Sequence, residues 1–270
     1  MHKLEGDYEK ILGKGNAFRT IGIGAAVLLG GFLSQISFTL ILILSALSIL
    51  GISAIAILWP EVKIYTHSNE INFWKSLRLS LITVQESSIL TSIAMYSAIV
   101  MSIFANLEEF NDVYLQFLTY SNAQIGLLFA LATIAQSAAS TLAYRLKNYP
   151  WQTLYGIAAI GLIILVLASV AKSPFMAIGI LSLGVSLELA RVLIDGIIQR
   201  QIESTQRASI ASLNAFLMNV LPFQLLFGLI ATRSGFQSAY GFLGLIVSVY
   251  LISIVYFYTA KKLSVRLGHK

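Results

Sequence analysis

The sequence predicts an all-α polytopic membrane protein with eight transmembrane helices, and three observations carry that expectation. Of its 270 residues 57% are hydrophobic and 11% are charged, where a soluble domain carries roughly 25% charged residues. The charges are confined to short segments between long apolar runs, and the mean hydropathy is +0.81. A helix needs about 20 mostly apolar residues to cross a bilayer, and eight segments meet that requirement: 17–35, 38–59, 87–107, 121–143, 151–171, 175–198, 208–231 and 237–260.

Each segment has local reasons for its limits. Gln35 and Ser37 cut the first span short, and the second stops at Trp59-Pro60, where proline cannot continue the hydrogen-bond ladder. Between the second and third spans lies the longest loop, 60–86. Its stretch from Ile71 to Val84 sets Phe73, Trp74, Leu77, Leu81 and Val84 at helical spacing, with Lys75 and Arg78 elsewhere. That pattern predicts an amphipathic helix lying at the membrane interface. After the third span, Glu108, Glu109 and Asp112 form an outward loop, and the run from Glu108 to Tyr120 extends that helix beyond the bilayer. The seventh span carries Pro222 at its middle, which predicts a kink there. Trp59, Trp74, Trp151 and Tyr149 stand at span ends as interfacial anchors.

Orientation follows from the Lys and Arg residues of the loops. Fifteen of the eighteen fall on one side, Lys172 and Arg233 on the other, and Arg191 lies within a span. Both termini are therefore expected in the cytoplasm. The net charge of +6 resides in loops flanking apolar spans, so the expected partner is a lipid bilayer and not nucleic acid. The N-terminus is polar for its first 16 residues and is not a signal peptide, which needs an early apolar region. With no cysteine, and only His2, His67 and His269 in polar segments, disulfides, thiolate chemistry and a histidine metal centre are excluded. No serine–histidine pairing, metal motif or nucleotide-binding motif is present, so neither an enzyme, a cofactor nor direct ATP use is expected.

The chemistry concentrates in the sixth span. Glu188, Arg191 and Asp195 follow one another in steps of three and four residues, which puts them on one helical face about 60° wide. Charges at bilayer depth are costly and face a bundle interior or a watery cavity. Glu188 and Arg191 are one turn apart and can pair, which lowers the cost of burying either. Two readings stand: a cavity-lining carboxylate that binds a proton or cation with Arg191 tuning it, or a local ion pair that fixes packing. Asp195 reads as an interfacial charge or a cytoplasmic gate partner. Gln124, Gln136, Asn214, Asn219 and Gln224 are amides within spans, each able to line a substrate path or to bond a neighbouring helix. In the first span Gly22, Ala26 and Gly30 recur every four residues beside Gly31, a pattern that lets helix backbones approach closely.

Several segments resemble the major facilitator superfamily of transporters. The stretch Asp7-Tyr8-Glu9-Lys10-Ile11-Leu12-Gly13-Lys14 is similar to the cytoplasmic loop before the family's fifth helix in many bacterial members. Gly22, Gly30 and Gly31 fall where antiporter members carry a GxxxGPxxGG motif, with Ala26 for its middle glycine and Val27 for its proline. Ala143-Tyr144-Arg145-Leu146-Lys147 resembles the second copy of the family's basic loop motif, without the leading glycine and aspartate. Glu188-Leu189-Ala190-Arg191 and the segment 202–212 look like the tenth helix and the loop opening the eleventh, with Arg207, Ala208 and Ser212 matching and Glu203 where proline is common.

The resemblance implies that the chain corresponds to helices five to twelve, N-terminally truncated. Residues 1–59 would be the last two helices of an incomplete first bundle, 60–86 the cytoplasmic linker, and 87–270 a complete second six-helix bundle. It implies a secondary transporter of a small molecule, coupled to protons or ions, in a bacterial inner membrane. Glu188, Arg191, Asn214 and Gln124 would line the substrate or proton pathway, and Asp195, Arg145 and Arg207 would form a cytoplasmic gate. The first two helices would expose surfaces for a missing N-terminal half or for a second copy. The alternative is a fragment, or a non-transporting assembly or regulatory protein, in which Glu188 and Arg191 serve packing alone.

Overall fold

The computed structural model describes residues 8–58, 73–146, 149–171, 173, 175–202, 204–219 and 221–267. It is 90% helical, with no strand among the described residues, and has eight spans long and apolar enough to cross a membrane, the third running over Ser88–Glu108 and the seventh over Gln206–Ser234. The helices are α1 (Tyr8–Leu33), α2 (Phe38–Leu58), α3 (Phe73–Glu86), α4 (Ser88–Tyr96), α5 (Ser102–Glu108), α6 (Asn111–Phe117), α7 (Asn122–Leu142), α8 (Thr153–Val170), α9 (Met176–Gln201), α10 (Ser204–Met218), α11 (Leu221–Ser234) and α12 (Phe236–Leu267). The stop at Trp59-Pro60, the linker residues 60–72, Lys172, Glu203 and the three histidines lie outside the described residues.

Two boundaries differ from the sequence expectation. Residues 8–16 are not a loop, because α1 already begins at Tyr8. The run from Glu108 to Tyr120 does not prolong its helix. The chain turns at Glu109–Phe110, forms the short α6, and leaves it through Thr119 in the left-handed region (φ 71°), where the Tyr120 amide bonds back to the Leu115 carbonyl at 3.1 Å. Such a backward bond satisfies a last-turn carbonyl that the helix itself cannot. The seventh span is described as α10 and α11 on either side of residue 220, and the kink expected at Pro222 adjoins that residue, which lies outside the described residues.

The central element is α9. Its buried residues cover every side, from Ala177 to Ile198, and α8, α7, α5, α1 and α10 all pack on it. At the other extreme α2 has no buried residue. Its apolar side chains are exposed around the whole circumference, as a helix facing hydrocarbon requires. The aromatic side chains of Phe110, Tyr114, Phe117, Phe227, Phe236 and Tyr240 pack together, some edge to face and some tilted, where α6, α11 and α12 meet. Leu115 of α6 packs on Ile125, Ala177 and Leu181, so α6 closes that end of the bundle over the first turns of α9. At the opposite end α3 is held by Thr83, whose hydroxyl donates to Gln206 Oε1 at 2.8 Å. Ser80 and Val84 are its buried residues, while Leu81 faces outwards.

α1 and α7 run antiparallel along a seam of small residues. On α1 the seam is Gly13, Ala17, Thr20, Gly24, Val27 and Gly31, and on α7 it is Gly126, Ala130, Thr133, Ser137 and Ser140. Both sets step alternately by four and three residues, the register of a left-handed helix pair. A Cβ on Gly31 would lie 2.9 Å from the Asn122 carbonyl and 3.0 Å from Gly126 Cα. One on Gly13 would meet the Ser140 carbonyl, and one on Gly24 would overlap the Thr133 hydroxyl. Ser137 donates to the Ala17 carbonyl at 3.4 Å. This corrects the expected packing set. Gly31 belongs to the seam, whereas Gly22 and Gly30 have nothing within 4 Å and Ala26 is exposed.

Candidate functional site

The site is built around Glu188, twelve residues into the 26-residue α9. Its side chain is 6% exposed, and Oε1 accepts hydrogen bonds from two guanidinium groups: Arg191 Nη1 at 2.8 Å and Arg19 Nη2 at 2.7 Å. Arg191 comes from the next turn of the same helix. Arg19 comes from α1, and its side chain is 46% exposed. Helix α1 brings it there because the seam on α7 fixes how α1 lies against α9. Among the described residues these are the ion pairs of the chain, and both end on one oxygen. The other oxygen, Glu188 Oε2, is buried with no hydrogen-bond partner.

One turn before Glu188 on the same face, Gly184 leaves a gap that two polar side chains fill. A Cβ on Gly184 would overlap Gln136 Nε2 and Glu108 Oε1. Gln136 reaches in from α7 and donates to Glu108 Oε1 at 3.3 Å. Glu108, at the end of α5, interacts electrostatically with Glu188, Arg191 and Arg19, and Asp195 does so with Arg191 and Glu188. Five charged groups from three helices therefore surround one stretch of α9, with the Gln136 amide between them. Of the five only Glu188 is fully buried, so the strongest interactions are those that end on its carboxylate, and the two guanidinium groups offset part of its burial cost.

Sequence reading reaches only part of this site. The Glu188–Arg191 pair is present as the spacing predicts, with Asp195 half-buried on the same face. Arg19 counts in the sequence as a cytoplasmic loop charge and Glu108 as an outward loop charge, but both turn into the bundle. Gln124 does not join them. Its side chain accepts from the Ser121 backbone N–H at 2.9 Å and completes a capping box at the start of α7. Asn214 is also elsewhere. It lies with Leu90, Ile93 and Ile198 beside a small cavity, about 15 Å along α9 from Glu188 at 1.5 Å per residue. Its Nδ2 approaches Met218 Sδ at 3.7 Å. Arg207 donates from Nε to the Ile202 carbonyl at 2.9 Å, and Arg145 is exposed in the turn after α7. Among the described residues neither pairs with Asp195.

No known protein-family model matches the chain, and no curated protein matches it in sequence. The fold and the site define an all-α integral membrane protein with a charged centre at mid-span.

Proposed function

We propose that this chain is a secondary transporter of the major facilitator type, which moves a small molecule across the membrane without covalent change. The observation that carries the proposal is the buried Glu188 carboxylate holding guanidinium groups of two different helices near mid-span. Transporters of this kind bind substrate near the bilayer midplane and rock one set of helices against another. Glu188 is a link that can be broken. A proton on its carboxylate, or a substrate group competing for Arg19 or Arg191, weakens the tie between α1 and α9. A ligand moves such an equilibrium only through its different affinity for the two arrangements, and the shared carboxylate supplies that difference. In this reading the chain resides in a plasma membrane with both termini on the cytoplasmic side, and Asn214 and Asp195 line the route on the basic side of the site.

A second reading has its own support. α2 has no buried residue, and Gly22, Ala26 and Gly30 of α1 face open space on the side where Arg19 is half-exposed. These features suit a protein that packs against further transmembrane helices as an assembly or regulatory partner.

The test compares cells without the chain, cells expressing it, and cells expressing an Arg19→Met/Glu188→Leu/Arg191→Met variant at equal membrane abundance. Small molecules in cells and medium are profiled by mass spectrometry. Transport predicts compounds whose distribution depends on the native chain and reverts with the triple variant. A chain-dependent phenotype that survives the triple variant would assign the three charges to packing and sink the proposal.

A further inference from the structure

We infer that Glu108 and Glu188 form a proton-binding site, with one proton held between the two carboxylates and the free Oε2 of Glu188 as its open acceptor. Glu188 Oε1 is already occupied by Arg19 and Arg191. Oε2 is buried and bonds to nothing described, and such an atom calls for a donor. Glu108 sits on Gly184, four residues before Glu188 on α9, and side chains four apart on a helix are neighbours.

The groups around the pair are all accounted for. Gln136 faces Glu108 from α7, Arg19 faces both carboxylates from α1, and Arg191 and Asp195 flank Glu188 on α9. Glu109, next to Glu108 in the chain, also acts on it electrostatically but is exposed to solvent. Three carboxylates against two guanidinium groups leave one negative charge in excess beside the buried Glu188, which is costly. One proton removes it. A metal ion fits less well, because the two guanidinium groups repel it and occupy the oxygen it would need. The proton comes from water. On release, the O–H bond breaks, the pair recovers its excess charge, and Arg19 and Arg191 regain a fully charged acceptor.

This inference rests on reading the cluster as a pathway, but its test needs no substrate. The full chain in lipid nanodiscs is titrated with acid and followed by infrared difference spectroscopy of the carboxyl C=O band. We expect a protonated-carboxyl band that is lost in Glu108→Gln, lost or displaced in Glu188→Gln, shifted in midpoint by Gln136→Leu, and unchanged in Asp112→Asn. Gln136→Leu keeps both carboxylates, so it remains informative if a charge-removing variant does not fold. Full retention of the band in Glu108→Gln, an unmoved midpoint in Gln136→Leu, or loss of the band on adding sodium at fixed pH would each overturn the site. A missing band with intact transport would refute the inference alone, and an intact band without transport would refute the proposed function alone.

Discussion

Removing Glu188 while leaving its two partners isolates the energetics of the site. In Glu188→Leu, Arg19 and Arg191 each lose a bond of 2.7 or 2.8 Å. Breaking a buried ion pair by deleting one partner costs about 3–5 kcal/mol, because the remaining charge is stranded. Both arginine side chains keep some exposure, 46% and 29%, and Glu108 and Asp195 still act on them, so part of the loss is screened and the expected cost falls to the lower limit or below it, about 2–3 kcal/mol. Adding Glu108→Gln and Asp195→Asn to the triple variant Arg19→Met/Glu188→Leu/Arg191→Met also neutralises the two carboxylates that face the guanidinium groups, so this fivefold variant strands no charge. Replacing a whole buried ionic group by apolar side chains is often neutral or stabilising, so it should fall within about 1 kcal/mol of the native chain or above it. The assay is reversible unfolding in mixed micelles, followed by far-ultraviolet circular dichroism. A fivefold variant as unstable as the single one would refute the reasoning, since the loss would then come from packing volume and not from unpaired charge.

Other outcomes follow from the backbone. Gly31→Leu places a side chain against the Asn122 carbonyl and Gly126 Cα, neither of which can swing aside. It should destabilise the chain by about 1–3 kcal/mol, whereas Gly22→Leu, with open space around it, should leave the melting temperature unchanged. Gly235 joins α11 to α12 at φ +85° with nothing near its Cβ position, so Gly235→Ala should cost about 1–2 kcal/mol from the left-handed backbone alone, read from the same unfolding curves. Ser121→Ala removes half of the capping box and should cost about 1 kcal/mol, with faster amide exchange confined to the first turn of α7.

The helices were legible because the bilayer imposes a length and a composition on each span, and both are properties of a single segment. The Glu188–Arg191 pair was legible for the same reason, since its partners share a helix and spacing alone sets their geometry. Arg19 and Glu108 were not, because their roles depend on which helices adjoin, and an ionisable residue near the edge of an apolar run resembles a loop charge. Gly184 was the available signal: a missing side chain one turn before a buried carboxylate marks room for another group. The seam was also written in the chain. Gly22, Ala26 and Gly30 repeat strictly every four residues, but Gly13, Ala17, Thr20, Gly24, Val27 and Gly31 alternate four and three, and only the longer pattern stays on one side of a helix pair.

The Arg19–Glu188 bond has a further consequence for biosynthesis. Its two residues are 169 positions apart. At about 5–20 residues per second, Arg19 emerges from the ribosome roughly 8–34 s before the carboxylate that will neutralise it. Seam residues Gly126 to Ser140 are also made long after α1. The first described helix therefore reaches the membrane carrying an unmatched positive charge and a glycine-lined face with nothing to pack on. It must wait at the insertion machinery, or with its guanidinium drawn towards the headgroups, until α7 and α9 arrive. Slowed translation between α1 and α9 lengthens that wait, so rare codons in this interval would reduce the yield of folded protein while leaving every contact of the finished molecule unchanged.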